Sequence, residues 1–275
     1  MEHIMSETPA PKKITLREVT RMKREGQKLV VVTAYDVLFA RVVDNAGVDI
    51  VLVGDSVGNV VAGFDSTLPV KLEHMIYHGA AVRRGIKRAL LVVDMPFLTY
   101  QASVERAILN CGRVLQETGA DAVKVEGGSD EMVNTVAALT RTGIPVMAHL
   151  GFTPQSVRTI GMRVQGREHS DADRIVEGAI ALEGAGAFSI VLELMPTDLA
   201  KRITESVNIP TIGIGAGPHC DGQVLVLPDL IGLNDGFAPK FLKKYANVAE
   251  VTRDAVSKYG AEVRSGEYPD ADHSN

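Results

Sequence analysis

Six short apolar runs in the chain each lead into a polar or ionisable residue, and this pattern constrains the fold more than any other feature. The residues that close these runs are Tyr35, Asp55, Asp94, Glu126, His149 and Glu193. A buried parallel strand is a nearly continuous run of Val, Ile and Leu, so a charge at its end needs a reason. The simplest reason is that the C-terminal ends of several strands open onto one shared site, as in a (β/α)8 barrel.

Two further apolar runs bring the total to eight, and most of the eight are separated by segments with helical periodicity. Strand alternating with helix implies a parallel sheet, and eight such units can close it into a barrel. The length of 275 residues is close to the ~250 that is typical of this architecture. We therefore predict an α/β fold, a single (β/α)8 TIM barrel with its active site at the C-terminal ends of the strands. The predicted strands are Leu29–Ala34, Val48–Gly54, Ala89–Met95, Ala120–Glu126, Ile144–Leu150, Ala187–Leu194, Ile209–Gly215 and Gln223–Leu227.

The predicted boundaries are a disordered lead-in over residues 1–13, the barrel over 14–268 and a polar tail over 269–275. Only about seven residues separate the last two strands, where a parallel crossover needs about a dozen. Either the helix after strand seven is vestigial or the predicted strand boundaries are wrong. Helices are expected to begin at Ser129 and at a capping box from Ser170 to Asp173. A long final helix is predicted over Pro239–Tyr259. Long loops follow strands two, three and five, where specificity usually resides.

Composition excludes several classes of function. The net charge of −5 and the pI near 5.8 argue against nucleic acid as a partner. Neither Cys111 nor Cys220 belongs to a CxxC pair, which suits a reducing compartment and offers no zinc site. The N-terminus lacks the apolar core of a signal peptide, and no stretch is long enough to span a membrane. We therefore expect a cytoplasmic enzyme of small molecules with no membrane partner.

Three carboxylates, Asp55, Asp94 and Glu126, close consecutive strands and should meet at the barrel mouth. Partly buried carboxylates repel one another unless a cation lies between them. Oxygen ligands without His or Cys favour Mg²⁺ over zinc. Alternatively, each carboxylate caps a helix or pairs with an Arg or Lys.

Two further ionisable residues have open roles. Lys124 lies two residues before Glu126 on the same face, where it could neutralise the carboxylates, bind an anionic substrate or form a Schiff base. Glu193 closes strand six, across the barrel from the carboxylates. It is placed either to act as a general base or to form a salt bridge with Lys201 or Arg202.

His149 and a glycine-rich segment complete the candidate residues. His149 closes strand five and is either a hydrogen-bonded core residue or part of the site. The glycines Gly213, Gly215 and Gly217 follow strand seven, where barrels often bind phosphate. Glycines there also permit the close approach of a backbone or a flat ligand.

Long motifs in a fixed order resemble ketopantoate hydroxymethyltransferases, and the resemblance runs from about Lys12 to the tail. The matching segments are Thr33–Asp36, Val53–Ser56, Asp65–Pro69, Asp94–Phe97, Val123–Gly128, His149–Ser156, Val164–Arg167, Gly213–Gly217 and Asp221–Gln223. The resemblance implies transfer of a hydroxymethyl group from 5,10-methylenetetrahydrofolate to 3-methyl-2-oxobutanoate through a Mg-stabilised enolate. The product, 2-dehydropantoate, lies on the route to pantothenate and coenzyme A.

The same resemblance implies the roles of individual residues and an assembly. One Mg²⁺ per subunit would be held by Asp55, Asp94 and Glu126. The oxoacid would contact Asp55, Ser56, Asp94 and Lys124. Glu193 would be the base, with Tyr35 and His149 in supporting positions and the strand-seven glycines beside the folate. The family implies a homo-oligomer, a decamer of pentameric rings.

Two rival functions remain to be weighed. Metal-dependent lyases and mutases of the phosphoenolpyruvate mutase superfamily place carboxylates similarly, but their reactive cysteine loop of Lys-Lys-Cys-Gly-His type is absent from this sequence. A non-catalytic oxoacid sensor would be expected to lack the base or a metal ligand. All four acids are present, which favours the transferase.

Overall fold

The fold is a closed barrel of eight parallel strands, as a computed structural model describes it for residues 12–236 and 238–274. Every strand pairs with its sequence neighbour in the order β1 to β8. This confirms the predicted fold class. The strands are β1 Leu29–Thr33, β2 Ile50–Val53, β3 Leu90–Asp94, β4 Ala122–Glu126, β5 Val146–Gly151, β6 Ser189–Glu193, β7 Thr211–Ile214 and β8 Gly222–Leu225.

Helices follow most of the strands. They are α1 Leu16–Arg24, α2 Val37–Asn45, α3 Val57–Val60, α4 Leu72–Arg83, α5 Val104–Thr118, α6 Asp130–Arg141, α7 Val157–Ile160, α8 His169–Gly184, α9 Thr197–Ser206, α10 Leu227–Leu230 and α11 Val248–Ser265. Two 3-10 turns lie at Pro154–Ser156 and Ala271–His273. None of the helices in the described ranges is long and apolar enough to cross a membrane.

The barrel interior at its N-terminal end is filled by apolar side chains and covered by α1. Val19 and Met22 of this helix pack with Leu29, Ile50 and residues of the other strands in one buried cluster. The core therefore closes one end of the barrel, and the polar strand ends lie at the other. This division leaves a single mouth at which chemistry can take place.

Several helix ends follow the expected capping rules. The Ser129 hydroxyl accepts a hydrogen bond from the Met132 amide, which confirms the predicted start of α6. The predicted capping box from Ser170 to Asp173 is wrong, because α8 already begins at His169. The carboxylate of the neighbouring Asp171 accepts a hydrogen bond from the Gly166 amide at 2.8 Å and so holds the loop that precedes α8.

The connection between β7 and β8 contains no helix, as its length predicts. The Asp221 carboxylate accepts a hydrogen bond from the Thr211 amide at 2.9 Å, and Ile212 pairs with Gly222. These contacts bring the two strands together over a short loop. The predicted ends of both strands are displaced by one or two residues.

Residues up to Val224 form one compact unit, and those from Leu225 form a second. In the second unit, the long helix begins at Val248 rather than at Pro239, so the predicted start is wrong. The amides of Tyr245 and Val248 are bonded to carbonyls of Leu230 and Ile231, which holds the intervening chain out of a helix. The lead-in predicted for residues 1–13 lies, up to residue 11, outside the described residues.

Candidate active site

The polar residues that close the strands converge at the barrel mouth. Asp94 is the last residue of β3, and Glu126 is the last residue of β4. Lys124 lies two residues before Glu126, and Asp55 follows β2. All four are at least 94% buried. Because parallel strands end at the same rim of a barrel, the alternation of apolar strand and terminal charge produces this cluster directly.

Asp94 and Lys124 form a buried ion pair, with the Nζ atom 3.0 Å from Oδ1. The other oxygen of Asp94 accepts a hydrogen bond from the Asp55 amide at 3.0 Å. Burial raises the pKa of Asp94. Burial alone would lower the pKa of Lys124, but the charges of Asp94, Glu126 and Asp55 outweigh it and raise that pKa above its usual range. Lys124 is therefore a fixed cation and a poor nucleophile, which argues against the Schiff-base alternative.

Glu126 is a buried carboxylate with one satisfied and one unsatisfied oxygen. Oε2 accepts a hydrogen bond from the Gln155 amide at 3.0 Å, while Oε1 has no hydrogen-bond partner within the described residues. Burial, with the nearby charge of Asp55, raises its pKa well above the ordinary value. An oxygen left in this state is a suitable cation ligand. In the described ranges, however, no three acids, histidines or cysteines form a ready-made metal cage.

His149 lies between the lysine and the acid of β6. Its Nδ1 is 3.2 Å from Lys124 Nζ, and its Nε2 is 3.2 Å from Glu193 Oε2, without the alignment of a hydrogen bond. Burial, reinforced by Lys124, lowers the pKa of His149 well below its usual value. The ring is therefore neutral. Because an ammonium can only donate, Nδ1 accepts and the ring proton lies on Nε2, facing Glu193.

Glu193 closes β6 with its side chain 17% exposed at the mouth. Burial raises its pKa to about 7, with Lys124 opposing the shift. The salt-bridge alternative is not what the structure contains, because Lys201 pairs with Glu205 and Arg202 with Asp173.

The backbone around Glu193 is tightly held. Its carbonyl accepts a hydrogen bond from the Phe152 amide at 2.8 Å. A Cβ at Gly151 would lie 2.2 Å from the same oxygen, so only glycine fits there. Leu194 adopts a left-handed φ of 46°, a conformation that is costly for a branched residue. Together these features fix the direction in which the Glu193 side chain leaves the strand.

Tyr35 and Ser56 form a hydrogen-bonded pair beside the carboxylates, with their oxygens 2.8 Å apart. Tyr35 is buried, and burial raises its pKa above the usual range, so it stays neutral. Ser56 precedes the short helix α3. The pair therefore offers hydroxyl groups at the edge of the site without adding charge.

The glycines after β7 pack closely against neighbouring residues. A Cβ at Gly213 would lie 3.0 Å from Cys220 Sγ, and one at Gly217 would lie 2.5 Å from the Thr197 hydroxyl. Close packing alone therefore accounts for these two glycines. Gly215 adopts a left-handed φ of 62°, a conformation that favours glycine.

Two residues of this cluster, Gln155 and Tyr100, are not among the site residues predicted from the sequence. The Gln155 amide donates to Asp55 Oδ2 at 3.0 Å, and the Tyr100 hydroxyl accepts from the Glu126 amide at 3.0 Å. Gln155 lies in the 3-10 turn Pro154–Ser156 and Tyr100 in the connection after β3. Neither position has strand or helix periodicity, so those patterns do not reveal them. The available signal was their position in the long loops that follow β3 and β5.

A surface cavity of about 690 Å³ lies elsewhere, between α4 and α5. Its walls include Leu68, Phe97, Leu98, Arg106, Leu109 and Asn110. None of the clustered acids lines it. We therefore place the candidate site at the strand ends, where the charges and the shifted pKa values are.

Two solved enzymes share the fold of this chain at low sequence identity. The chain matches 2,3-dimethylmalate lyase, a member of the PEP mutase/isocitrate lyase superfamily, with a TM-score of 0.60 and 15% identity over 93% of this chain and 90% of that one. It matches phosphonopyruvate hydrolase in complex with oxalate and Mg²⁺ with a TM-score of 0.60 and 14% identity over 94% and 93%. At these identities the likeness shows the fold alone.

Comparisons of sequence are more specific. Residues 13–271 match the family model described as ketopantoate hydroxymethyltransferase. The chain is 54% identical to 3-methyl-2-oxobutanoate hydroxymethyltransferase of Pelobacter propionicus over 96% of this chain and 97% of that protein. It is also 54% identical to the enzyme of the same name from Moorella thermoacetica, over 95% and 97%. The chain therefore belongs to the ketopantoate hydroxymethyltransferase family.

Proposed function

We propose that the chain transfers a hydroxymethyl group from 5,10-methylenetetrahydrofolate to 3-methyl-2-oxobutanoate, giving 2-dehydropantoate for pantothenate synthesis. The observation that carries this proposal is the meeting of Asp55, Asp94, Lys124 and Glu126 with Glu193 at one barrel mouth. Such a mouth can bind an oxoacid at one side and remove a proton at the other.

A divalent cation fits the donor chemistry of the mouth. Asp55, Asp94 and Glu126 offer only oxygen, and Glu126 Oε1 is buried without a hydrogen bond in the described part of the chain. Mg²⁺ usually takes one or two protein carboxylates and completes its shell with water and substrate, so a full protein cage is not required. When bound, one Mg²⁺ per subunit would withdraw electron density from the oxoacid oxygens and make the C3 proton easier to remove.

Lys124 and Ser56 are the proposed partners of the oxoacid carboxylate, with Asp55 and Asp94 beside them. Lys124 is held as a cation by its ion pair with Asp94. The Ser56 hydroxyl is oriented by Tyr35. A charge-assisted contact from Lys124 would fix the substrate with its C3 carbon toward β6.

Glu193 is the proposed base. A pKa of about 7 places this carboxylate near the operating pH, where a base both exists in its active form and accepts a proton with adequate driving force. The Nε2 atom of neutral His149 lies 3.2 Å from Glu193 Oε2, with its proton on the side of the carboxylate. Removal of the C3 proton leaves a carbon nucleophile that forms a C–C bond to the methylene carbon of the folate. Both C–N bonds of that carbon break, water supplies the hydroxyl oxygen, and tetrahydrofolate leaves with its two nitrogens protonated.

The folate is proposed to lie along the end of β7, at Gly213, Gly215 and Gly217. Ile214 pairs with Glu193 in adjacent strands, so this loop borders the proposed base. Close packing already accounts for Gly213 and Gly217, so the support for this placement is that the loop after β7 borders Glu193.

A homo-oligomer, a decamer by resemblance to the family, and a cytoplasmic location complete the proposal. Helix α11 supports association, because Val251, Val256 and Tyr259 are each more than half exposed. Apolar side chains grouped on one helix usually mark an interface. Light scattering coupled to size-exclusion chromatography would measure the assembly.

The test is a metal-dependent product assay. Purified protein supplied with 3-methyl-2-oxobutanoate and 5,10-methylenetetrahydrofolate should form 2-dehydropantoate, lose turnover in EDTA and regain it with added Mg²⁺. Full activity in metal-free buffer would contradict the role of the carboxylates. Cleavage of 2,3-dimethylmalate or phosphonopyruvate with no hydroxymethyl transfer would favour the lyase alternative instead.

A further inference from the structure

The side chain of Gln155 makes every hydrogen bond that a primary amide can make. Nε2 donates to Asp55 Oδ2 at 3.0 Å and to the Met95 carbonyl at 2.8 Å. Oε1 accepts from the Tyr100 hydroxyl and from Gln101 Nε2, both at 2.9 Å. Since the amide has two N–H donors and an oxygen with two lone pairs, it has no bonding capacity left.

This arrangement allows only one orientation of the amide. Turning it over would place Oε1 against the Asp55 carboxylate and the Met95 carbonyl, which are both acceptors. It would also turn the NH₂ group toward Gln101 Nε2, which is a donor. Because a buried amide that loses its partners is strongly disfavoured, the observed orientation is enforced.

The same residue contacts a second carboxylate through its backbone. The Gln155 amide nitrogen donates to Glu126 Oε2 at 3.0 Å. Tyr100 joins the two contacts, because its hydroxyl donates to Gln155 Oε1 and accepts from the Glu126 amide. Acids from β4 and from the loop after β2 are thus held by one residue, which is itself 6% exposed.

We propose that Gln155 is a positioning residue that fixes the carboxylates of Asp55 and Glu126 in the orientation required to bind a divalent cation. The inference rests on the proposed function, because it concerns the cation of the same site. The side-chain amide orients Asp55 and the backbone amide orients Glu126, and because both amides are neutral, neither cancels the charge of its acid. Lys124, by contrast, contributes a positive charge at Asp94. Outer partners of this kind typically change metal affinity by about 10- to 100-fold when they are lost.

The experiment measures Mn²⁺ binding to metal-free, full-length protein by electron paramagnetic resonance of the free ion. Gln155→Leu keeps the backbone contact to Glu126 and removes the amide, and it should raise the Kd for Mn²⁺ by about 10- to 100-fold. Gln165→Leu is the matched control. The Gln165 amide donates to the Arg163 carbonyl, in the same connection between β5 and α8, and its loss should leave the Kd unchanged.

A second variant keeps the inference testable if Gln155→Leu folds poorly. Tyr100→Phe removes one hydroxyl from the network and should raise the Kd in the same direction by a smaller factor. A merely structural role would lower the melting temperature of either variant yet leave the Kd of the folded fraction at the wild-type value.

The outcomes separate this inference from the proposed function. Wild-type Kd values in both variants, with hydroxymethyl transfer intact in the parent, would overturn the role of Gln155 alone. Failure of the wild-type protein to bind Mn²⁺ would overturn both. Raised Kd values in both variants, with an unchanged Gln165→Leu control, would support the inference.

Discussion

Replacement of the proposed base, Glu193→Gln, provides the sharpest test of the site. The assay follows exchange of the C3 proton of 3-methyl-2-oxobutanoate into D₂O by NMR, without folate, so it isolates proton removal from group transfer. A positioned general base typically contributes about 10²- to 10⁴-fold to a rate, and the variant should lose a factor in this range. Its Kd for Mn²⁺ should stay unchanged, because Glu193 is not among the proposed ligands.

The pH dependence follows from the burial of this carboxylate. With a pKa of about 7, about a tenth of Glu193 is deprotonated at pH 6 and about nine tenths at pH 8. The exchange rate of the parent should therefore rise by about tenfold between these pH values. A carboxyl with its ordinary pKa of 4.5 would already be deprotonated at pH 6 and would give an almost flat profile.

A surface change of the same chemistry serves as the control. Glu205→Gln removes a carboxylate on α9 that lies 3.9 Å from Lys201, and it should leave both the rate and the profile as they are in the parent. The reasoning is refuted if Glu193→Gln exchanges within a few-fold of the parent, or if the parent rate is flat from pH 6 to pH 8.

Three further predictions concern the charge of Lys124, the backbone fit at Gly151 and the pH dependence of stability. Lys124→Met should raise the oxoacid KM by about 10- to 100-fold in steady-state assays, since a charge-assisted bond is lost. If borohydride instead trapped a covalent substrate adduct in the parent, Lys124 would have to be reinterpreted as a Schiff-base residue. Gly151→Ala should lower the free energy of unfolding by more than about 2 kcal/mol in urea titrations, because its Cβ would meet a carbonyl at 2.2 Å. The control Gly161→Ala, with φ 67° and open space around it, should cost only about 1 kcal/mol. Folding raises the pKa of Glu193 from 4.5 to about 7, so the folded state binds this proton more tightly than the unfolded state does. The contribution of Glu193 to the free energy of unfolding therefore falls as the pH rises from 4.5 to about 7. Glu193→Gln should accordingly be more stable than the parent by about 1–3 kcal/mol at pH 8 and equal to it at pH 4, and equal stability at both pH values would contradict the shift.

The barrel could be predicted because its strands are buried on both faces. All five residues of β3 and all five of β4 are buried, so each appears in the sequence as an apolar run closed by its functional residue. The same logic predicted the short β7–β8 connection. It also predicted that Asp55, Asp94, Lys124 and Glu126 would lie together.

Where the sequence pattern gave a wrong prediction or none, contacts between distant parts of the chain determine the structure. Residues 239–247 have the composition of a helix, but backbone bonds from Tyr245 and Val248 hold this stretch in an irregular path. Ser170 and Asp173 have the spacing of a capping box, but α8 already begins at His169. Gln155 carries no periodic signal, because its partners come from three other segments of the chain.

The left-handed turn at Leu194 has a consequence for protein engineering. A selection for heat tolerance alone, with no demand for turnover, should accumulate changes at this rim, such as glycine at position 194 or an uncharged side chain at 193. Such variants would be more stable and less active if Glu193 is the base, since the desolvated acid that weakens the native state is the group that the proposed reaction uses.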